Sequence, residues 1–149
     1  MTSPKTTITR LNTEDRARWG ELWQGYLTFY EAALPDGQSD ETWRRIMAGE
    51  NVHAYGARID GRLVGMTHYL FHASTWCADV CYLQDLFTDA STRGKGIGRA
   101  LIEAVAADAQ SRGAARLYWL THNSNATARL LYDRLAVDRG FIRYDYPMG

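Results

Sequence analysis

The chain has 149 residues, 46% of them apolar, and its 17 basic and 17 acidic side chains cancel. That fits one globular domain, residues 1–149, with a real core. It excludes nucleic-acid binding through bulk positive charge, and no apolar run approaches the roughly 20 residues that span a membrane.

The polar stretch from Met1 to Arg10 has no apolar segment of the signal-peptide kind, so a cytoplasmic location is expected. Cys77 and Cys81 lack His or Cys partners at ligand spacing. They read as small buried hydrophobes rather than a disulfide or a metal site.

In chain order, residues 1–5 read as a tail and 6–11 as a first strand. Thr13, Glu14 and Asp15 supply an N-cap and first-turn acids. Trp19, Leu22, Trp23, Tyr26, Leu27 and Tyr30 recur at helical spacing and predict an amphipathic helix over 14–33. Pro35-Asp36-Gly37 breaks it, and a second short helix follows over 40–47. Residues 52–59 and 63–72 read as strands joined by the hairpin turn Asp60-Gly61. A third strand, 79–88, leads into Arg93-Gly94-Lys95-Gly96-Ile97-Gly98 and a helix over 97–112, which Gly113 ends. Residues 117–121 read as a strand buried on both faces. Asn125 caps a last helix with Ala128, Leu131, Tyr132 and Leu135 on one stripe, and 141–146 reads as a final strand. The order is β-α-α-β-β-β-α-β-α-β, an α/β (α+β) class with a mixed, mostly antiparallel sheet covered by helices on both faces.

The glycine loop is the most informative stretch. Glycines let a ligand approach the backbone, and the first N–H groups of a helix have no partners within it. Such a loop feeding a helix start is an anion site, with Arg93 and Lys95 adding charge beside it. A nucleotide P-loop would need Ser or Thr after Gly-Lys, where Gly96 stands. A dinucleotide fingerprint would need a third Gly where Arg99 stands. Three glycines at alternate positions with two cations exceed what a bare turn requires.

The loop and the element order together resemble the GNAT superfamily of acetyl-CoA-dependent N-acetyltransferases. The family's loop of Arg or Gln, two residues, Gly, one residue, Gly or Ala stands here as Arg93 to Gly98. Its second signature, Asn, two residues, Ala, three residues, Tyr, stands as Asn125, Ala128 and Tyr132. The resemblance covers residues 7–146. Stretches 117–122, 131–136 and 141–144 are similar to the branch holding the histone and polyamine acetyltransferases, near the spermidine/spermine (diamine) enzymes.

The resemblance implies acetyl-CoA as cosubstrate, held by the backbone N–H groups of Gly94, Lys95, Gly96, Ile97, Gly98 and Arg99. It implies that Leu86, Phe87 and Thr88 pair with the pantetheine arm and offer an N–H to the acetyl oxygen. Asn125 and Ala128 would hold the arm. Tyr132 would protonate the leaving thiolate; its bland alternative is packing in the stripe with Leu131 and Leu135.

An alkyl ammonium with a pKa near 10.4 is only about a thousandth neutral at pH 7.4, a cost of about 4 kcal/mol that a carboxylate near the slot can offset. The polyamine enzymes have Glu-Asp at this point of the strand, where this chain has Gln84-Asp85. Regular alternation puts those two on opposite faces. Asp85 either takes the proton, or pairs with a nearby cation while water relays it.

The resemblance places the acceptor against the first two helices, with Trp23, Tyr26, Tyr30, Glu31 and Asp36 near it and Gln84 on the strand. Aromatic faces with acids suit a cationic amine. For Trp19 and Trp23 the core face of the helix is the simpler reading. His68, His72 and His122 are not at metal spacing and read as surface or hydrogen-bonded strand residues. The expected activity is direct acetyl transfer to a primary amine of a small molecule: a polyamine, an amino acid or an aminoglycoside-like compound. The alternatives are a protein lysine or N-terminal acetyltransferase, or a non-catalytic acyl-CoA-binding regulatory module. No metal, nucleic-acid or membrane partner is expected, and a homodimer is.

Overall fold

The computed structural model describes residues 5–149. All but Lys5 of the expected tail lies outside them. The chain divides into two compact units, Met1–Trp119 and Leu120–Gly149.

The first unit carries β1 (Thr6–Thr9), α1 (Arg16–Phe29), α2 (Gln38–Ala48), β2 (His53–Ile59), β3 (Arg62–His72), β4 (Val80–Thr88), α3 (Ile97–Ser111) and β5 (Arg116–Tyr118). The sheet runs β1-β2-β3-β4-β5 in space. Its first three pairings are antiparallel. The α3 crossover makes β4–β5 parallel. At the β2–β3 turn both Asp60 (φ 50°) and Gly61 (φ 86°) are left-handed, the type I′ geometry their sequence predicts.

One face of the sheet is packed by α1. Trp19, Leu22, Trp23 and Leu27 bury themselves against Leu11, Ala54, Leu63 and Met66. Trp19 is fully buried, and cutting such a side chain to Ala costs about 3–5 kcal/mol. The other face is packed by α3 through Ile97 and Leu101 against Ala57 and Val64. Gly65 of β3 admits this helix closely, since a Cβ there would lie 3.0 Å from Ile97 Cγ2 and 3.2 Å from the Phe87 carbonyl.

The 3₁₀ turn Thr13–Asp15 that leads into α1 is closed by a capping box. Asn12 accepts from the Glu14 N–H, and Asp15 accepts from the Asn12 N–H. Arg58 of β2 grips the same Asp15 through both guanidinium nitrogens, at 2.9 and 2.6 Å. The helix ends at Phe29, short of the expected 33, because Glu31 turns left-handed (φ 53°) and the Ala32 N–H reaches back to the Leu27 carbonyl.

Strand β5 departs from expectation. It covers only Arg116–Tyr118, and Arg116 and Tyr118 are exposed. As the outermost strand it pairs on one side only, so it lacks the two-sided burial its apolar run predicted.

In the second unit, α4 (Ala126–Leu135) is the sole helix, and its Ala128, Leu131, Tyr132 and Leu135 form the half-buried stripe, as predicted. The final strand expected over 141–146 does not form. No described strand pairs with it, and Phe141, Ile142, Tyr144 and Tyr146 are all at least 75% exposed. A strand without a ladder partner leaves its backbone groups to water.

Candidate active site

The glycine loop is held from both sides. Before it, Asp89 closes a 3₁₀ turn over Ala90–Thr92 by accepting from the Ser91 N–H at 3.0 Å. Arg18 of α1 donates to Asp89 at 2.7 Å and to the Leu63 carbonyl at 2.9 Å. The Ser91 N–H, the Arg18 guanidinium and the Ser91 hydroxyl together hold the Asp89 carboxyl down at about 2. After the loop, buried Ile97 anchors the start of α3.

Between these anchors Gly94 (φ 81°) and Gly96 (φ 74°) adopt left-handed backbone. A Cβ at either would meet no protein atom within 4 Å, so the space above the loop is open. Gly96 is the N-cap of α3, and no side chain caps the helix's first N–H groups. Arg93, Lys95 and Arg99 are exposed beside them, with Arg99 also bridged to Glu103 at 2.8 Å. Gly98 lies in the first turn of the helix. The open backbone, uncapped N–H groups and nearby cations fit a pyrophosphate.

Beside the loop lies the end of β4, expected from the sequence to pair with a pantetheine arm. Leu86, Phe87 and Thr88 pair with Thr67, Met66 and Gly65 of β3. On its other side β4 pairs with β5 only at Val80, Cys81 and Tyr82. From Leu83 to Thr88 that edge has no strand against it in the described sheet.

The register of β4 also breaks where it matters. His68 pairs with Asp85, but Tyr69 pairs with Leu83, so Gln84 is an extra residue. The regular alternation assumed from the sequence therefore fails at this point. Gln84 bulges out exposed, and Asp85 takes the face of α1 opposite His68. There His68 Nδ1 lies 3.0 Å from Asp85 Oδ2, while Trp19 Nε1 donates to His68 Nε2 at 3.0 Å. Of the two readings, surface or hydrogen-bonded strand residue, His68 is the second, and it is 2% exposed. His72 meets the Tyr118 hydroxyl at 3.0 Å instead.

An aromatic wall runs from this carboxylate along α1. Trp23 packs edge-on to His68 at 5.0 Å and stacks on Tyr26 at 5.3 Å. Tyr26 in turn meets Tyr30 at 4.8 Å and Phe87 at 6.1 Å. Gly25 makes the last contact possible, because a Cβ there would lie 2.9 Å from the Phe87 ring. Burial, then the charge of Asp85, pushes the Tyr30 hydroxyl above its usual range. Glu31 and Asp36 are exposed in the turn after α1.

In the second unit Asn125 is engaged as the N-cap of α4, accepting from the Ala128 N–H at 3.4 Å and donating to the Thr121 hydroxyl at 3.4 Å. Tyr132 lies two turns on, half-buried on the same stripe. Among the described residues no group of three or more His, Cys, Asp or Glu side chains is placed to hold a metal. No described helix is long and apolar enough to cross a membrane.

Sequence reasoning missed Trp19, His68 and Arg18 as parts of this region. A lone His carries no spacing signal. The β3–β4 hairpin register would have paired it with Asp85 only if the bulge were known.

A five-stranded sheet with an open β4 edge and a glycine cradle feeding a helix is the architecture of an acyl-CoA N-acyltransferase. The chain belongs to the acetyltransferase (GNAT) family, whose model matches residues 19–136. It is an acetyl-CoA-dependent N-acetyltransferase. It is 30% identical to the D-amino-acid N-acetyltransferase HPA3 of Saccharomyces cerevisiae over 149 aligned residues, covering 97% of this chain and 92% of that one. It is 31% identical to the thialysine N-epsilon-acetyltransferase of Bos taurus, covering 70% of this chain and 62% of that one. The solved structure of AAC(6')-Iy in complex with the bisubstrate analog CoA-S-monomethyl-acetylneamine shares the fold, with a TM-score of 0.83 at 18% identity over 97% of this chain and 99% of that one.

Proposed function

We propose that this enzyme acetylates a primary amine of a small cationic molecule, of the amino-acid, diamine or aminoglycoside kind, by direct attack within a ternary complex. The observation that carries the reading is Asp85, a carboxylate set at one end of the wall of Trp23, Tyr26, Tyr30 and Phe87. Such faces favour a cation, and the carboxylate pairs with it. The names of the yeast and bovine relatives, which specify D-amino acids and thialysine, support an amine of this size. Residues 1–149 act as one functional domain.

Acetyl-CoA supplies the activated acetyl thioester. The backbone of Gly94 to Arg99 would bind its pyrophosphate. Leu86, Phe87 and Thr88 would orient the arm along the open edge of β4, and the Asn125–Ala128 turn would steady it. Asp85 takes the proton from the acceptor ammonium, which leaves a neutral amine to attack the acetyl carbon. As the N–C bond forms and the C–S bond breaks, the second amine proton would leave to water, and Tyr132 would give its phenolic proton to the departing sulfur and recover one from water. An unperturbed Tyr pKa near 10 makes this donation mildly uphill against a thiol near 8.5. Tyr26, Tyr30 and Glu31 would line the acceptor, with Gln84 at its rim. The exposed run Phe141, Ile142, Tyr144 and Tyr146 is the apolar surface a second copy would cover in a cytoplasmic homodimer.

The test is release of free CoA with D-alanine, thialysine, spermidine, sisomicin and a histone-tail peptide. Turnover confined to one or more of the small amines supports the reading. Turnover with the peptide alone selects the protein acetyltransferase, and acetyl-CoA binding without turnover on any acceptor selects the regulatory module.

A further inference from the structure

The Trp19–His68–Asp85 chain is buried, polar and continuous. Side-chain exposure is 3% at His68 and 13% at Asp85. An indole N–H can only donate, so the Nε2 it meets must be an unprotonated acceptor. His68 is therefore neutral with its proton on Nδ1, and that N–H points at Asp85 Oδ2. A protonated imidazole would set two N–H groups against each other at 3.0 Å. His68 thus offers no exit for a proton from Asp85.

We propose that His68, locked as its Nδ1–H tautomer by Trp19, is the positioning residue of the reaction. It fixes the Asp85 carboxylate at the acceptor through its Nδ1–H, 3.0 Å from Oδ2. The inference deepens the assignment of Asp85 as base and rests on it. The bulge at Gln84 makes it possible, because it brings Asp85 opposite His68 while leaving Leu83 opposite Tyr69. The other groups packed here are aromatic: Trp23 lies against His68, and Trp43 of α2 lies 5.0 Å from Trp19. His68 from β3 and Tyr30 from α1 are titratable groups that face Asp85, and Tyr26 of α1 stands between Trp23 and Tyr30. Thr67 of β3 donates its hydroxyl to the Asp85 carbonyl at 2.7 Å and pins the backbone of the same residue.

A donor to a carboxylate favours its ionised form, so losing it moves the acid limb of kcat/KM to higher pH. The test compares His68→Leu, which has no donor, with His68→Asn, whose amide N–H falls at the place of Nδ1. The acceptor is whichever of D-alanine, thialysine, spermidine and sisomicin turns over fastest. For His68→Leu the account expects kcat to fall roughly tenfold or more and the acid limb to rise by about one pH unit, with the KM for acetyl-CoA unchanged. His68→Asn should return the limb to its wild-type position. A His68→Leu limb at the wild-type pH, or the same shift in both variants, would overturn the proposal. Asp85→Asn separates the two ideas. If it leaves the limb in place, the base assignment fails; if it abolishes the limb while His68→Leu does not move it, only the role of His68 fails. Should His68→Leu not fold, ¹⁵N NMR of the wild-type imidazole decides: a protonated Nδ1 and bare Nε2 support the proposal, and the reverse tautomer contradicts it.

Discussion

Asp85 of β4 and His68 of β3 stand directly opposite each other in the sheet, with His68 Nδ1 and Asp85 Oδ2 3.0 Å apart, because Gln84 is left out of the register between them. The candidate site is built outward from this pair. Trp19 holds the imidazole from behind, and the aromatic residues of α1 extend away from the carboxylate. The open edge of β4 leads from it to the glycine cradle.

Gly96→Ala tests the cradle. A left-handed Ala costs on the order of 1 kcal/mol or more, and its Cβ would enter open space rather than the protein. The variant should fold, melt a few degrees lower, and show a KM for acetyl-CoA raised roughly tenfold if phosphates occupy that space. Gly61→Ala, equally left-handed and equally open but at the β2–β3 turn, should lose similar stability with KM unchanged. Equal KM values in both would contradict the cradle.

Tyr132→Phe keeps the apolar body of the side chain and removes the proton. Turnover should fall by roughly a hundredfold while acetyl-CoA affinity, read by calorimetry, stays within about twofold. Unchanged turnover would leave Tyr132 as a packing residue of the α4 stripe.

Stability should fall steeply in acid. Five carboxyls lie below their usual range: Glu41 and Glu50, both beside Arg44 at the surface, and three that tie separate elements together. Asp15 is held down by Arg58, and Asp89 is held at about 2 by the Ser91 N–H and Arg18. Burial pushes Asp108 up, but hydrogen bonds from Tyr69 and Arg10 and the charge of Arg112 outweigh it. Each binds a proton more readily when unfolded, so its contribution is present above its unfolded range and is lost as pH falls through its folded one, which for Asp89 is about 2. Urea midpoints should be level from pH 7 to 5 and drop between pH 4 and 2.5. A midpoint constant down to pH 2.5 would contradict the assignment.

The two thiols should separate cleanly. Both were expected to be buried, but Cys77 is exposed in the stretch between β3 and β4, whereas burial pushes the Cys81 thiol up to about 11. Iodoacetamide at pH 8 should label one cysteine per native chain, at Cys77, and both after denaturation. Native labelling of Cys81 would contradict its burial beneath α3.

Much of the architecture was legible because its signals are local. The glycine loop, the Asp60-Gly61 turn and the α1 stripe each depend on residues close in sequence, and each lies where its pattern puts it. The β3–β4 pairing depends on register, which a single extra residue resets. Alternation along β4 would put Leu83 and Asp85 on one face, whereas the register sets them opposite Tyr69 and His68, which are adjacent on β3; His68 showed no sign of its role. The run over 141–146 has the alternation of a strand, yet whether it pairs depends on a neighbour that no local pattern reveals. Burial of residues 117–121 likewise depended on β5 being interior, and it is the outer strand.

The most direct test of the account is the pH dependence of kcat/KM for Asp85→Asn with the best small-amine acceptor. Wild type should show an acid limb from one essential carboxylate. The variant should lose that limb and follow the fraction of free amine instead, rising about tenfold per pH unit toward the amine's own pKa and running some hundredfold below wild type at pH 7. A variant whose profile and rate match the wild type would show that Asp85 does not take the proton.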